Sequence, residues 1–289
     1  MISRRRLLIH GLLAAPGFAC ASALARANPE DIRAGLADLE NAHGGRLGVY
    51  VLDVATGRRV EHRGDERFAM CSTHKFLAAA FVLQRVDRGE DSLERRIPYA
   101  KDNLVAYSPI TEKHVGDGMT LGEFCEAALT LSDNTAANLI LESLGGPAGF
   151  TSRARALGDD VTRLDRIETA LNEAKIGDPR DTTTPAAMAE NVEKLVLGEA
   201  LSAPSREQLA NWVIANKTGD KRLRAGIPKG WQVGDKTGTG GAGATNDIAI
   251  VWPPDRGPLV VTAYYAESAA PDDEREQVLA EVGRLAVGI

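Results

Sequence analysis

Apolar positions recur along the chain with two different periods. From Pro29 to Ala42 they return at helical spacing. The stretch "RLGVYVLDVATGRRVEHRGDERF" alternates instead, and predicts two strands joined at Ala55-Thr56-Gly57. From Ser72 the pattern is helical again and nearly unbroken in its apolarity through Val86, with Gly89 as the stop. Three more helical patterns follow: "LGEFCEAALTL", "TAANLILESLGG" closed by Gly145, Gly146 and Pro147, and "TPAAMAENVEKLVLGEAL". Between the last two lies a polar stretch, Arg163 to Thr184, with no period; so long an irregular segment inside a compact domain is usually functional. The tail returns to strands in "GWQVGDKTGTG", "NDIAIVWPP" and "PLVVTAYYAES", then ends in the helix "DDEREQVLAEVGRLAV". Strands at both ends and helices between predict an α/β chain of two lobes. The first and last segments (28–70 and 214–289) would share one sheet, and 71–213 would form a helical lobe. A site would lie in the cleft between them.

Composition adds three constraints. The chain has 289 residues and 44% apolar content, ordinary for a globular protein. Its net charge is −6, with Lys and Arg scattered, so nothing points to nucleic acid. Residues 1–27 carry a basic head (Arg4, Arg5, Arg6), a short apolar middle and Ala25-Arg26-Ala27, a signal peptide cleaved after Ala27. Arg4-Arg5 before Leu7-Leu8 also fits the twin-arginine route, and a lipid on Cys20 is the weaker option. The mature protein is expected to be exported, off the membrane and monomeric. Export permits disulfides, but only Cys71 and Cys125 would remain to form one.

The candidate chemistry begins at "CSTHKF". Ser72 and Lys75, three apart on a helix, share a face. The helix start favours negative charge on the Ser72 oxygen. Burial of Lys75 eases loss of its proton, and a serine beside such an amine is an activated nucleophile. The plain alternative is an N-cap serine with a snorkelling lysine. Two triplets weigh against it: Ser132-Asp133-Asn134 at a helix start, and Lys236-Thr237-Gly238 in a strand ending in glycines. Each has its own plain reading, a capping cluster and an edge strand guarded by a cation. A fourth motif, "RIETALNEA", sets Glu168 and Asn172 four apart, where one turn brings a carboxylate and an amide together around a water. His10, His43, His62, His74 and His114 fit no metal spacing, and neither metal nor cofactor is expected. His74 should point away from the Ser72–Lys75 face as a half-buried packing residue.

S-x-x-K, S-D-N and K-T-G in this order are the signature of class A β-lactamases and penicillin-binding proteins. With "RIETALNEA" added, the whole mature chain resembles the class A serine β-lactamases. The resemblance implies their two-lobe fold, an antiparallel sheet flanked by helices beside an all-helical lobe. It implies that the substrates are β-lactams. Ser72 would attack the lactam carbonyl, with the backbone N–H groups of Ser72 and Thr239 as oxyanion hole. Ser132 would pass a proton to the ring nitrogen, helped by Lys75 and Lys236. Glu168 and Asn172 would aim the deacylating water. Lys236, Thr237, Gly238 and Thr239 would line the substrate carboxylate site, Asn134 would bind the side-chain amide, and Tyr107 would wall the cleft. Either Lys75 or Glu168, through a water, would take the Ser72 proton. Arg166 and Asp181 would close an Ω-shaped loop, 163–181.

Departures from the family pattern bear on detail. Thr169 stands where many members have proline, yet the Glu168–Thr169 bond is expected to be cis. Some carbapenem-hydrolysing members bridge the Cys71 position to one that is Gly240 here, and others bridge the Cys125 position to one that is Ala79. Two free thiols are therefore expected. The missing bridge argues against carbapenem hydrolysis; Thr239 and a carboxylate-assisting arginine, Arg222 rather than Arg224, argue for it. A penicillin-binding peptidase is disfavoured by Glu168 and Asn172. A serine glutaminase is disfavoured by the leader and K-T-G, and a β-lactam sensor by the lack of a membrane segment or partner domain after the leader.

Overall fold

The computed structural model describes residues 27–289. The leader, apart from Ala27, lies outside the described residues, with Arg4, Arg5 and Cys20. The first helix, α1 (Pro29–His43), starts at Asn28, whose side chain accepts the Glu30 N–H at 3.2 Å. The hairpin β1 (Arg46–Asp53) and β2 (Arg58–His62) follows, then β3 (Phe68–Ala69). A 3₁₀ turn, Cys71–Thr73, leads into α2 (His74–Asp87). Ser72 thus sits one turn ahead of the α-helix proper. After α2 come the short β4 (Arg96–Ile97) and β5 (Met119–Thr120), then α3 (Leu121–Thr130), α4 (Asn134–Ser143) and α5 (Gly146–Ala156). The chain continues through β6 (Thr182–Thr183), α6 (Pro185–Val192), α7 (Ala203–Ile214) and α8 (Leu223–Gly226). It closes with β7 (Gln232–Thr239), β8 (Thr245–Trp252), β9 (Leu259–Ala266) and α9 (Asp272–Ala286).

The predicted sharing of one sheet by the two chain ends is what the structure has. Five antiparallel strands run in the order β2-β1-β9-β8-β7. β1 meets β9 along its full length, from Arg46 opposite Ala266 to Asp53 opposite Leu259. Alternation sorts the side chains between two cores. Leu47, Val49, Val51 and Val261 pack with Ile32 and Leu36 of α1 and Val278 and Val282 of α9. Tyr50, Ile248, Ile250 and Tyr264 face the other way, into a core shared with α2, α3, α4, α6 and α7. α2 is buried at every position from His74 to Leu83, which explains its uninterrupted apolarity.

Three helices went unread in the sequence, α5, α7 and the single turn α8, and one pattern was too long. Gly145, Gly146 and Pro147 close α4, but Pro147 also opens α5, since proline suits a first helical turn. α7 buries only Ser205, Leu209, Trp212 and Val213, too sparse an apolar stripe to stand out. α6 ends at Val192, and Glu193–Leu197 widens into a π turn before Gly198. His74 is fully buried rather than half-buried, because α5 covers it: its ring lies edge-on to Phe150 at 6.3 Å and its Nδ1 is 2.8 Å from the Cys71 carbonyl.

Gly48 in β1 lets Phe68 lie against the sheet. A Cβ at this position would stand 2.3 Å from Phe68 Cε2 and 2.9 Å from Pro185 Cγ. Gly48→Ala is expected to destabilise the protein by about 1–3 kcal/mol through overpacking. Urea denaturation measures this, and an unchanged midpoint would show that Phe68 moves freely.

Candidate active site

Four segments converge on the Lys75 ammonium, which is 0% exposed. Its Nζ donates to Ser72 Oγ at 3.0 Å, to the Ser132 carbonyl at 2.9 Å, to Ser132 Oγ at 3.3 Å and to Asn134 Oδ1 at 2.6 Å. Glu168 Oε1 lies 3.0 Å away. Ser72 Oγ in turn donates to that same oxygen at 3.3 Å. Burial pushes the Lys75 amine below its ordinary range, against the pull of Glu168. Burial is the largest single influence on Glu168 and would raise it, but the Lys75 and His74 charges and the hydrogen bonds of Lys75 and Asn172 together hold the carboxyl below its ordinary range.

A second ammonium, Lys236 of β7, is also 0% exposed and donates to Ser132 Oγ at 3.1 Å and to the Thr237 carbonyl at 2.7 Å. Burial, then the Lys75 charge, puts it well below its ordinary range. β7 is an edge strand, as the plain reading of K-T-G had it, but this lysine turns inward to the cleft. Gly238 is what allows the approach: a Cβ there would stand 2.8 Å from the Met70 carbonyl, against the Ser72 turn.

The cleft holds about 350 Å³ and is lined by Ser72, Tyr107, Ser132, Asn134, Asn172, Arg222, Thr237, Gly238 and Thr239. All seven predicted substrate-binding residues are therefore together. Tyr107 is 61% exposed at the rim. Arg222, not Arg224, reaches the cleft: it donates to Thr239 Oγ1 at 2.8 Å and to the Gly238 carbonyl at 2.8 Å. Arg224 turns to buried Asp235 instead. Cys71, Tyr107 and Ser132 have left-handed φ of 47°, 61° and 58°, strained values that gather at functional sites.

The segment carrying Glu168 is tied at both ends. Arg166 Nε meets Asp181 Oδ2 at 2.6 Å, and Asp181 Oδ1 accepts the N–H groups of Asp165 and Arg166 at 2.7 and 2.9 Å. The Glu168–Thr169 bond is cis. Asn172 donates to Glu168 Oε2, and its own Oδ1 is buried without a partner among the described residues. Cys71 and Cys125 are free and buried. A Cβ at Gly240 would lie 2.6 Å from Cys71 Sγ, so the position next to the thiol is occupied by a residue that cannot bridge it.

Two supporting groups, Asn138 and Thr218, escaped sequence reasoning, and a third, Asp133, was read only as part of a capping cluster. Asn138 accepts the Glu168 N–H at 2.8 Å and donates to the Glu168 carbonyl at 2.8 Å. Its signal was available: it lies four after Asn134, on the same face of α4. Asp133 caps α4 and also accepts the N–H groups of Ile110 and Thr111 at 3.0 and 2.9 Å, fixing the loop that carries Tyr107. Thr218 lines the cleft and shares a 2.6 Å hydrogen bond with Thr237.

A nucleophilic hydroxyl between an amine and a carboxylate, with a second amine beyond, defines a serine acyl-transfer hydrolase. The family model described as the β-lactamase enzyme family matches residues 31–289, and the chain belongs to that family. It is a class A serine β-lactamase. The β-lactamase OXY-2 of Klebsiella oxytoca is 47% identical over 274 residues, 95% of this chain and 94% of that one. The β-lactamase L2 of Stenotrophomonas maltophilia is 51% identical over 251 residues, 86% and 83% of the two chains. Among solved structures, an ancestral class A β-lactamase is 66% identical with a TM-score of 0.88, covering 89% of this chain and 98% of its own.

Asn138→Leu removes both ties to the Glu168 backbone. Each group left unpaired costs about 1–3 kcal/mol. The expected outcome is lower stability and faster exchange of the Glu168 amide hydrogen. Unchanged exchange protection there would show that the loop holds Glu168 without Asn138.

Proposed function

We propose that the protein hydrolyses the amide of penicillins and cephalosporins through an acyl-Ser72 intermediate, and that after export it confers β-lactam resistance as a monomer. The two lobes would be 28–70 with 214–289, and 71–213, with the substrate between. The observation that carries the reading is Ser72 Oγ, which accepts from Lys75 Nζ at 3.0 Å and directs its proton at Glu168 Oε1, 3.3 Å away.

Glu168 takes the Ser72 proton as Oγ bonds to the lactam carbonyl carbon. The developing oxyanion meets the backbone N–H groups of Ser72 and Thr239, where fixed donors act on charge absent from the ground state. The C–N bond breaks, and the ring nitrogen takes its proton from Ser132, which Lys75 and Lys236 flank. The proton held by Glu168 passes through Lys75, which touches both groups, to Ser132, and restores each to its starting state. Water then gives a proton to Glu168 as its oxygen attacks the ester carbon, and Glu168 returns that proton to Ser72 Oγ as it leaves. Asn172 orients that water: its unpartnered Oδ1 beside Glu168 is an acceptor suited to it. Lys236, Thr237, Thr239 and Arg222 hold the substrate carboxylate, Asn134 the side-chain amide, and Tyr107 closes the rim. Thr218 supports Thr237 in this set.

Two outcomes are expected. Intact-mass spectra after a penicillin is added should show a Ser72 adduct that rises and vanishes, and that accumulates in Glu168→Ala, where Lys75, 3.0 Å from Ser72 Oγ, remains to take the Ser72 proton while deacylation, left without a base for the water, slows by about 10²–10⁴-fold. An adduct that persists in the unmutated protein would mean an acyl-accepting peptidase. The pH profile of kcat/KM should have its acid limb below 4.5, because Glu168 must be ionised and, against burial, the Lys75 and His74 charges with the Lys75 and Asn172 hydrogen bonds together hold its pKa below that value. Activity is therefore kept as pH falls until the lowered pKa is reached. Its alkaline limb should lie below 10.5, where the buried lysines lose their protons. An acid limb above 4.5 would contradict the assignment of Glu168.

A further inference from the structure

The far end of α2, one helix length from Ser72, meets the last turn of α5 at a separate cavity of about 280 Å³. Gln84, Arg88, Leu144, Ser152 and Arg153 line it, and no acidic residue does. Neither the Arg88 nor the Arg153 guanidinium has a hydrogen-bond or ion-pair partner among the described residues, and the Arg153 Nε is buried. The neighbouring cation is occupied elsewhere: Arg85 donates to the Ser143 carbonyl and pairs with Asp91 at 3.3 Å. Burial and the charge of Arg85, then that of Arg88, push the Arg153 guanidinium below its ordinary range; Glu90 pulls the other way without contact. Arginines at the ends of α2 and α5 do complement the helix dipoles, but a helix end offers only about half a charge and gives Arg153 Nε no acceptor here.

Arg153 is a half-buried cation whose Nε has no acceptor, and it faces a cavity with no acid in its lining and the exposed Arg88 and Ser152 at its rim, an environment that favours an anion. We propose that this cavity binds a phosphate-type oxyanion between Arg88 and Arg153. The two planar forks suit tetrahedral oxygens, and the Ser152 hydroxyl is a third donor. The site is independent of the catalytic cleft and of the reading given for it. Its occupant would tie the end of α2 to α5 and stabilise the folded state by mass action.

The test is thermal unfolding of the full protein against inorganic phosphate, with chloride matching the ionic strength, for the unmutated protein, Arg153→Met and Arg88→Met. Circular dichroism and turnover of a chromogenic cephalosporin check that both variants fold. Any phosphate taken by the cations of the catalytic cleft is common to all three, so the difference between them reports this site. The expected result is a saturable rise in Tm of at least about 2 °C in the unmutated protein that both variants lose. Glycerol phosphate run in parallel identifies the source: a response at lower concentration than phosphate assigns a phosphate monoester, and an equal or weaker one assigns the free ion. An equal phosphate response in Arg153→Met and the unmutated protein, or a rise that never saturates, would overturn the proposal and leave these arginines as helix-end charges.

Discussion

Everything at the centre of this protein is arranged around one buried charge. The Lys75 ammonium is shut off from bulk solvent, so its protons go to protein oxygens, and it finds them on three segments outside its own helix: the turn before α4, α4 itself and the 163–181 loop. A buried pair that loses one partner is destabilised by about 3–5 kcal/mol. The fold is therefore under strong constraint to hold Ser132, Asn134 and Glu168 where they are. The left-handed φ at Ser132, the Asp133 cap and the Asn138 clamp are each a means of doing so.

The second ammonium completes the geometry. Ser132 Oγ accepts from Lys75 at 3.3 Å and from Lys236 at 3.1 Å. A hydroxyl has two acceptor sites and one proton. With both lone pairs used by amines, its O–H is left to face the cleft. Two cations so close repel, and the sheet beneath them carries two buried acids. Asp235 is paired to Arg224 and accepts from Asn216 at 2.7 Å, and Asp247 accepts the Leu223 N–H at 3.1 Å. Burial raises both carboxyls above their ordinary range. β7 and β8 thus bring acids to one face and Lys236 to the other.

How much of this was legible in the sequence follows from how each residue acts. Ser72, Lys75, Ser132, Asn134 and Lys236 announced themselves because their chemistry needs short fixed spacings on one element. Glu168 and Asn172 were legible for the same reason, set in a stretch whose lack of period marked it as special. The shared sheet followed from alternating strands at both chain ends. Thr218 was not legible, and Asn138 offered only its place one turn after Asn134, because both work through contacts distant in sequence: Asn138 holds a backbone 30 residues away. Helices α5 and α7 were missed because a glycine-proline pair ends one helix as readily as it begins another, and because a mostly polar helix leaves little periodic trace. His74 was placed on the correct side of α2, but only the position of α5 explains its full burial.

The edge position of β7 links sheet to site. An exposed edge strand invites pairing with another chain, and proteins usually cover or charge it. Here the Ser72 turn covers it, and Gly238 permits the contact because it has no side chain to hold the turn away. The Thr237 carbonyl, on the outward side, accepts from Lys236 at 2.7 Å. Backbone groups along a strand change sides at each residue, so Thr239, two further on, presents its N–H to that same outward side. That puts a fixed backbone donor at the open end of a strand otherwise covered. The same glycine that lets the Ser72 turn reach the sheet stands next to Thr239, which lines the cleft together with Ser72. A side chain at Gly238 would separate the two, whatever happened to Lys236 beside it.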